Sequence, residues 1–128
     1  MDKSRKGVVL LAHGARNAEW ATPFQRVRQL LLEKQPDLPV ELAFLEFMQP
    51  DLPTAVEQMA QQGIGTITVA PLFFGYSGHV LKNVLPMIEQ LRQAHPALAL
   101  RLASVAGEDA GVLEALAAYC VRALAEPG

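Results

Sequence analysis

The sequence predicts an α/β fold, a single doubly wound, four-stranded parallel sheet with helices on both faces. Short, continuously apolar segments alternate with longer segments whose apolar residues recur at helical spacing, in the order βαβαβαβα. The first apolar segment, residues 7–12, is too short for a helix and lacks the polar alternation of a strand with one exposed face. This alternation implies right-handed crossovers and a parallel sheet covered on both faces, and for a doubly wound sheet of four strands the expected order is 2-1-3-4.

The first half of the chain supplies two strands and one helix. The strand over residues 7–12 is followed by a polar break and then by a helix over about residues 19–34. Thr22 and Pro23 offer an alternative start, because they resemble an N-cap and first-turn pair. A second strand is expected over residues 40–47.

The second half repeats this alternation. Asp51 is expected to cap a second helix, and strands are expected over residues 65–70 and 98–104. Helices are expected over residues 79–94 and 109–124. The helical residues expected to face the core are Phe24, Val27, Leu30, Leu31, Val56, Met59, Ala60, Leu81, Val84, Leu85, Ile88, Leu91, Val112, Leu113, Leu116, Cys120 and Leu124.

Length and composition narrow the function classes. With 128 residues, 51% of them hydrophobic, residues 1–128 are expected to form one domain. A net charge of -2 gives no electrostatic footprint for nucleic acid, and no apolar run reaches the ~18 residues that a membrane helix needs. The single Cys120 excludes an internal disulfide and a cysteine-based metal cluster, so a cytoplasmic protein is expected.

Three polar residues are predicted to meet at one edge of the sheet. His13 follows the first strand, Glu46 is the last polar residue of the second, and His79 follows the loop after the third. In an open parallel sheet, ligands bind beyond the carboxyl ends of the strands, at the point where the connections part to opposite faces. Strand order 2-1-3-4 puts that point between the first and third strands.

Two imidazoles and a carboxylate form a candidate metal site. These ligands suit Co²⁺, Fe²⁺, Ni²⁺ and Zn²⁺, and three ligands with open positions are typical of a site that uses or transfers its metal. Each residue also has a structural alternative, since a lone histidine is often a surface or capping residue. Glu46 could pair with Arg16, and His95 is expected to be structural at a helix C-terminus.

The loop after the third strand is a candidate ligand-binding surface. It contains Phe74, Gly75, Tyr76, Ser77 and Gly78, which could form a flat, open wall for a planar aromatic ligand. The glycines could instead serve only the turn, and the aromatic residues could only close the core. Neither a phosphate-binding loop nor a dinucleotide fingerprint is present, so no ATP or other nucleotide is expected.

Three motifs resemble those of a known family. Leu-Leu-Ala-His13-Gly-Ala-Arg16, Glu-Leu-Ala-Phe-Leu-Glu46 and Val-Ala-Pro-Leu-Phe-Phe-Gly-Tyr-Ser-Gly-His79-Val resemble the short CbiX proteins. These are sirohydrochlorin chelatases of the class II, ATP-independent chelatase superfamily. The resemblance implies insertion of a divalent metal, cobalt or iron, into sirohydrochlorin on the way to cobalamin or sirohaem.

The resemblance also assigns roles and a partner. It implies that His13 and His79 carry the metal and proton chemistry and that Glu46 assists them. It further implies a homodimer that builds the tetrapyrrole cleft from two copies. The apolar residues Val80 and Met87, which lie off the inward stripe of their helix, are compatible with such pairing.

Two positions depart from the family pattern. Ala15 stands where a hydroxyl residue is common, and Asn83 stands where an acidic residue is common. The ligand set itself does not choose among cobalt, iron and nickel. Arg16 or Lys82 could meet the acidic side chains of a tetrapyrrole, or could be solvated charges.

Two other functions remain open from the residues. A non-catalytic metal or tetrapyrrole carrier would keep the same histidines. A phosphoryl-transfer enzyme of the histidine phosphatase type would also place a His-Gly pair after its first strand. That chemistry needs an arginine immediately before the histidine, and Ala12 occupies the position.

Overall fold

A computed structural model describes residues 2–75 and 77–127 of the chain, with only the backbone described at residues 2, 3 and 79. The strands are β1 (Asp2–Ala12), β2 (Val40–Phe44), β3 (Ile64–Pro71) and β4 (Ala99–Leu102). The helices are α1 (Thr22–Lys34), α2 (Leu52–Gln61), α3 (Gly78–Ala94) and α4 (Ala110–Leu124). The strands form one parallel sheet in the order β2-β1-β3-β4, which confirms the predicted fold class and order.

The central strand β1 is bonded to a neighbour on each side. Leu10, for example, lies opposite Leu42 of β2 and Ala70 of β3. The connection after β1 leads toward β2, whereas the connection after β3 leads toward β4, so the chain diverges between β1 and β3. The carboxyl ends of these two strands therefore frame the expected binding edge.

One face of the sheet is covered completely. Ile67 and Val69 of β3 are fully buried on this face, beneath α2 and α3. Val84 and Ile88 of α3 and Met59 of α2 complete the same cluster. Two of the three predicted inward residues of α2, Val56 and Met59, are buried because their spacing matches one face of the helix, whereas Ala60 is only partly buried.

The opposite face is covered over β1, β2 and the end of β3, where Ala70 packs against the same cluster. Residues of α1, such as Phe24 and Leu31, pack over Leu10 and Phe44. Beyond α1, four side chains of β3 and β4 on this face remain partly or fully exposed. We call them the open patch, and they are Thr66, Thr68, Ala99 and Arg101.

Helix α4 does not cover the open patch. The prediction that its apolar residues face the core is wrong: no residue of α4 is buried, and Cys120 is exposed. The helix packs mainly against the short turn that precedes it, Ala106–Glu108. Its apolar residues with the largest exposure are Leu113, Leu116, Tyr119, Val121 and Leu124. Helical periodicity identifies an apolar face but not the surface that will cover it.

The predicted inward faces of α1 and α3 also need correction. Val27 and Leu30 of α1 are about 40% exposed, because this helix lies over the edge of the sheet. In α3 the inward stripe is rotated, so that Leu85 is exposed while Val80 and Met87 pack against the core. Val80 and Met87 therefore give no support for pairing of two copies.

Several element ends differ from the sequence prediction. Thr22 is the first residue of α1 and not its cap, since Ala21 occupies the N-cap position without a side-chain bond. Strand β2 ends at Phe44, three residues earlier than expected, and Glu46 therefore lies in the following loop. Asp51 caps α2 as predicted: the Thr54 N–H donates to its Oδ1 at 2.9 Å. Within the described residues, no helix has the length and apolar character needed to cross a membrane.

Candidate functional site

His13 stands directly at the end of β1, where the chain leaves the sheet. Its side chain is half-buried. The imidazole packs against the buried ring of Phe73, with 4.3 Å between ring centroids and 32° between planes. The β3 end thus holds the histidine of the β1 end in place, as the predicted strand order requires.

Gly14 allows the β1 end and the loop after β2 to touch. It has a φ of +96°, and a Cβ built on it would overlap the carbonyl oxygen of Glu46. The Glu46 N–H donates to the His13 carbonyl oxygen at 3.0 Å. No other residue fits this contact, so Gly14 fixes the backbone of Glu46 beside His13.

A cleft of about 420 Å³ opens between His13 and α3. Such a volume is typical of sites for small molecules and cofactors. On the sheet side the cleft is lined by His13, Leu45, Glu46 and Pro53, and on the α3 side by Val80, Lys82, Asn83, Pro86, Met87 and Gln90. Polar groups from three separate segments therefore face one apolar-walled space.

His13 and Glu46 are brought together as the sequence predicted. Both line the cleft, although Glu46 reaches it from the loop and not from a strand end. Lys82 and Asn83, noted in the sequence for other reasons, line the opposite wall. Asn83 thus lies in the cleft itself.

His79 lies in the first turn of α3, one turn before Asn83, and its side chain is outside the described residues. Among the residues that are described, no group of three or more histidine, cysteine or acidic side chains is placed to hold a metal ion. The predicted set of His13, His79 and Glu46 therefore stays a prediction.

The loop before α3 is open to solvent. Phe74 is 72% exposed, and neither Gly75 nor Gly78 has a neighbour within 4 Å of a Cβ built on it. Ser77 caps α3, because its Oγ accepts the Val80 N–H at 3.2 Å. The predicted contribution of Tyr76 lies outside the described residues.

The base of this loop is fixed by Gly107, which sequence analysis did not single out. A Cβ there would overlap the backbone of Phe74, and the Gly107 N–H donates to the Phe73 carbonyl oxygen at 2.9 Å. The turn before α4 therefore supports the loop from below. The sequence around Gly107 does not indicate this contact, because the contact joins segments that are distant along the chain.

Arg16 does not pair with Glu46. Its guanidinium carbon lies 4.9 Å from the centre of the Phe47 ring, which is a cation–π distance. Phe47 itself has a φ of 65° and is 58% exposed. Phe47 is not among the predicted site residues, because the apolar pattern predicts a strand end at this position.

The loop that carries Glu46 and Phe47 is anchored at its far end by Asp51. The Phe44 N–H donates to the Pro50 carbonyl oxygen at 3.0 Å, which closes the loop on itself. Hydrogen bonds from Thr54, first from its side chain and then from its backbone, lower the pKa of the Asp51 carboxyl below its usual value. The cap is therefore ionised at neutral pH.

Known structures share this architecture. A crystal structure of a CbiX protein from Marinobacter aquaeolei VT8 superimposes with a TM-score of 0.83 and 30% identity, over 93% of this chain and 97% of that one. The sirohydrochlorin chelatase SirB from Bacillus subtilis subspecies spizizenii, in complex with cobalt, has a TM-score of 0.73 and 21% identity. This chain covers 50% of SirB, and SirB covers 92% of this chain. The fold is therefore that of the chelatases.

Sequence comparison identifies the family. The family model described as CbiX matches residues 7–123. The sirohydrochlorin cobaltochelatase of Sulfurisphaera tokodaii is 35% identical over 86 residues, which are 67% of this chain and 70% of that protein. The chain belongs to the CbiX family.

Proposed function

We propose that this chain inserts a divalent metal, cobalt or iron, into sirohydrochlorin in the biosynthesis of cobalamin or sirohaem. Residues 1–128 act as one chelatase-like domain in the cytoplasm, where a lone thiol such as Cys120 stays reduced. The observation that carries the proposal is the position of His13, which faces a cleft of about 420 Å³ at the carboxyl edge of the sheet. Membership of the CbiX family supports the same substrate class.

The reaction sets clear requirements for the cleft. The metal must lose water ligands, and the two pyrrole N–H groups of the macrocycle must lose their protons as four ring nitrogens bind the metal. A neutral imidazole can bind a transition metal or accept a proton. His13 is suited to both tasks, since Phe73 fixes its ring while the cleft remains open to ligands.

Glu46 and His79 complete the proposed set. Glu46 is exposed at the cleft and accepts protons or helps to hold the metal. His79 is assigned from its position in the first turn of α3, the helix whose next turn lines the cleft. Imidazole and carboxylate ligands bind cobalt, iron and nickel, so the metal used depends on which ion is supplied.

The loop with Phe74, Gly75, Tyr76, Ser77 and Gly78 is proposed to contact the face of the macrocycle. Phe74 is mostly exposed, so packing within the single chain does not account for its position. Space is open around both glycines, so neither is required by packing, and their lack of side chains leaves room for a flat ligand. Lys82, which lines the cleft, and Arg16 are proposed to bind carboxylates of the tetrapyrrole.

The partner is proposed to be a second copy of this chain. One chain exposes an apolar helix, α4, and also leaves the open patch of its sheet without a covering helix. An apolar groove of about 300 Å³ also lies between α1 and the start of α4. Each chain thus carries both an exposed apolar helix and an uncovered surface. In a two-fold pair, the α4 helix of each chain can cover the exposed surface of the other.

The size of the two surfaces fits this pairing. A helix of 15 residues is about 22 Å long, and two-fold symmetry doubles the contact toward the ~1,200–2,000 Å² of a stable interface. Phe73 and Phe74 line the apolar groove, so an α4 helix bound there would reach the binding loop. The pairing also agrees with the finding that this chain spans half of SirB.

The function is tested by following insertion through the absorbance change of sirohydrochlorin. Purified chain at substoichiometric concentration is mixed with sirohydrochlorin and, in separate reactions, with Co²⁺, Fe²⁺ or Ni²⁺. We expect product to exceed the protein concentration many times with cobalt or iron. Product that stops at one equivalent per site with every metal would contradict catalysis.

A non-catalytic carrier is the second candidate, because Asn83 lines the cleft where the family commonly has a carboxylate. The same assay separates the two functions. A carrier shifts the spectrum in proportion to the protein added and does not turn over. If the chain does not turn over, Asn83→Asp tests whether the missing carboxylate is the reason. We expect the restored carboxylate to tighten metal binding or raise the rate.

A further inference from the structure

The turn over residues 46–48 holds a large side chain in an unfavourable backbone conformation. Phe47 has a φ of 65°, in the left-handed region that bulky residues rarely adopt. The Met48 N–H donates to the Glu46 carbonyl oxygen at 2.8 Å, which closes a tight γ-turn around Phe47. Such turns, with a positive φ at the centre, are rare and strained.

Core packing does not account for a phenylalanine in this turn. Its side chain is 58% exposed and belongs to neither buried cluster. Glycine or asparagine would occupy the same backbone conformation at lower cost. A strained residue that packing does not require points to a functional constraint.

The described contact of the Phe47 ring is with Arg16, whose guanidinium carbon lies 4.9 Å above its centre. No carboxylate of a described residue lies within salt-bridge distance of Arg16, and Glu46, the nearest in sequence to the ring, does not pair with it. A guanidinium stacked on an aromatic ring keeps its N–H edge free for a planar carboxylate. The ring therefore orients a cation that remains available to a ligand.

We propose that Phe47 is a positioning residue, which holds Arg16 at the rim of the cleft so that its guanidinium binds a carboxylate of the macrocyclic substrate. Neither Phe47 nor Arg16 lines the cleft, but Glu46, the residue directly before Phe47, does, so the pair is joined to the reaction space by one step along the chain. The ligand chemistry is that of a flat ring carrying peripheral carboxylates. This inference rests on the proposed function.

Because the backbone at Phe47 is strained, replacing Phe47 should weaken substrate binding without lowering the thermal stability of the fold. In Phe47→Asn the ring is lost and the residue tolerates a positive φ. We expect the KM for sirohydrochlorin to rise about three- to ten-fold with kcat within two-fold, while Tm stays equal or increases. Phe47→Trp keeps an aromatic face and is expected to retain the wild-type KM.

A double-variant cycle shows whether Phe47 acts through Arg16. Arg16→Gln is expected to raise KM as much as Phe47→Asn, and the double variant no further, because both changes remove one interaction. Arg26→Gln is the matched control, since Arg26 is another exposed arginine whose described contact is with Gln29 of its own helix. We expect its KM to equal that of the wild type.

The outcomes separate this inference from the proposed function. A wild-type KM in Phe47→Asn, or fully additive effects in the double variant, would overturn the positioning role while leaving insertion intact. If the wild-type chain binds sirohydrochlorin but does not insert metal, the proposed function fails. Absorbance titration then tests the pair by binding alone, with a three- to ten-fold weaker Kd expected in both single variants.

Discussion

The two faces of the sheet are built from the same strands but are completed differently. On the face of α2 and α3, Ile67 and Val69 of β3 are fully buried. On the other face, Thr66 and Thr68 of the same strand are only half-buried, and α4 extends away without burying a residue. One face is a finished core, whereas the other is only partly covered in the single chain.

This difference between the faces affects the candidate site, which lies at the carboxyl edge of the sheet. His13 and the cleft depend on the finished face, since α3 supplies the opposite wall. The loop with Phe74 is supported at its base by the turn before α4, through Gly107. The candidate site therefore rests on the finished face, and the proposed pairing of two chains would use the other face.

The largest expected effect on stability comes from a substitution in the core of the finished face. Ile67→Ala should cost about 2–5 kcal/mol of unfolding free energy, because it leaves a cavity beneath α2 and α3. Thr68→Ala, one residue along the strand on the open patch, should cost less than about 0.5 kcal/mol. Urea unfolding of both variants measures the two values, and equal costs would contradict the difference between the faces.

The next effect concerns α4 and leaves the fold intact. Leu116→Glu should shift the chain from a dimer to the 13.9 kDa monomer, because the charge enters the proposed interface. Helical content should be retained, since no residue of α4 is buried in the single chain. Size-exclusion chromatography with light scattering, together with circular dichroism, follows both properties.

A control on the same helix sharpens this result. Ala118→Glu introduces the same charge about 200° around the helix from Leu116, and we expect it to remain dimeric. Dissociation by both variants would indicate a general effect of charge, and a monomeric wild-type chain would exclude the pairing altogether.

The smallest effect concerns the loop that carries Glu46. Asp51→Ala should cost about 1 kcal/mol at neutral pH, because the N-cap of α2 is lost. The Asp51 pKa is lowered in the folded chain, so its contribution is present above the usual carboxyl pKa and disappears as pH falls through the folded value. Unfolding curves of wild type and variant from pH 7 to pH 2 should therefore converge at acidic pH.

Much of the fold could be predicted because periodicity reports local preference. The continuous apolar run of β1 and the helical spacing of α2 each specify an element and its buried face. Topology then followed from the handedness of crossovers. The position of His13 beside the carboxyl end of β3 is a direct consequence.

The features that could not be predicted depend on contacts between distant segments. The apolar face of α4 has the pattern of a core-facing helix although it buries no residue, since periodicity does not show which surface an apolar face will cover. Glu46 was expected at a strand end, yet its backbone is set by Gly14 and by the turn at Phe47. Strained turns of this kind violate local preference, which is why pattern reasoning misses them.

The most direct measurement is the rate of cobalt insertion into sirohydrochlorin by His13→Ala and His79→Ala, followed by absorbance. We expect each variant to lose about 10²- to 10⁴-fold in rate while its circular dichroism spectrum is unchanged. His95→Ala, at the C-cap of α3, should retain the wild-type rate. Near wild-type insertion by folded His13→Ala and His79→Ala would contradict a chelatase site at this edge of the sheet.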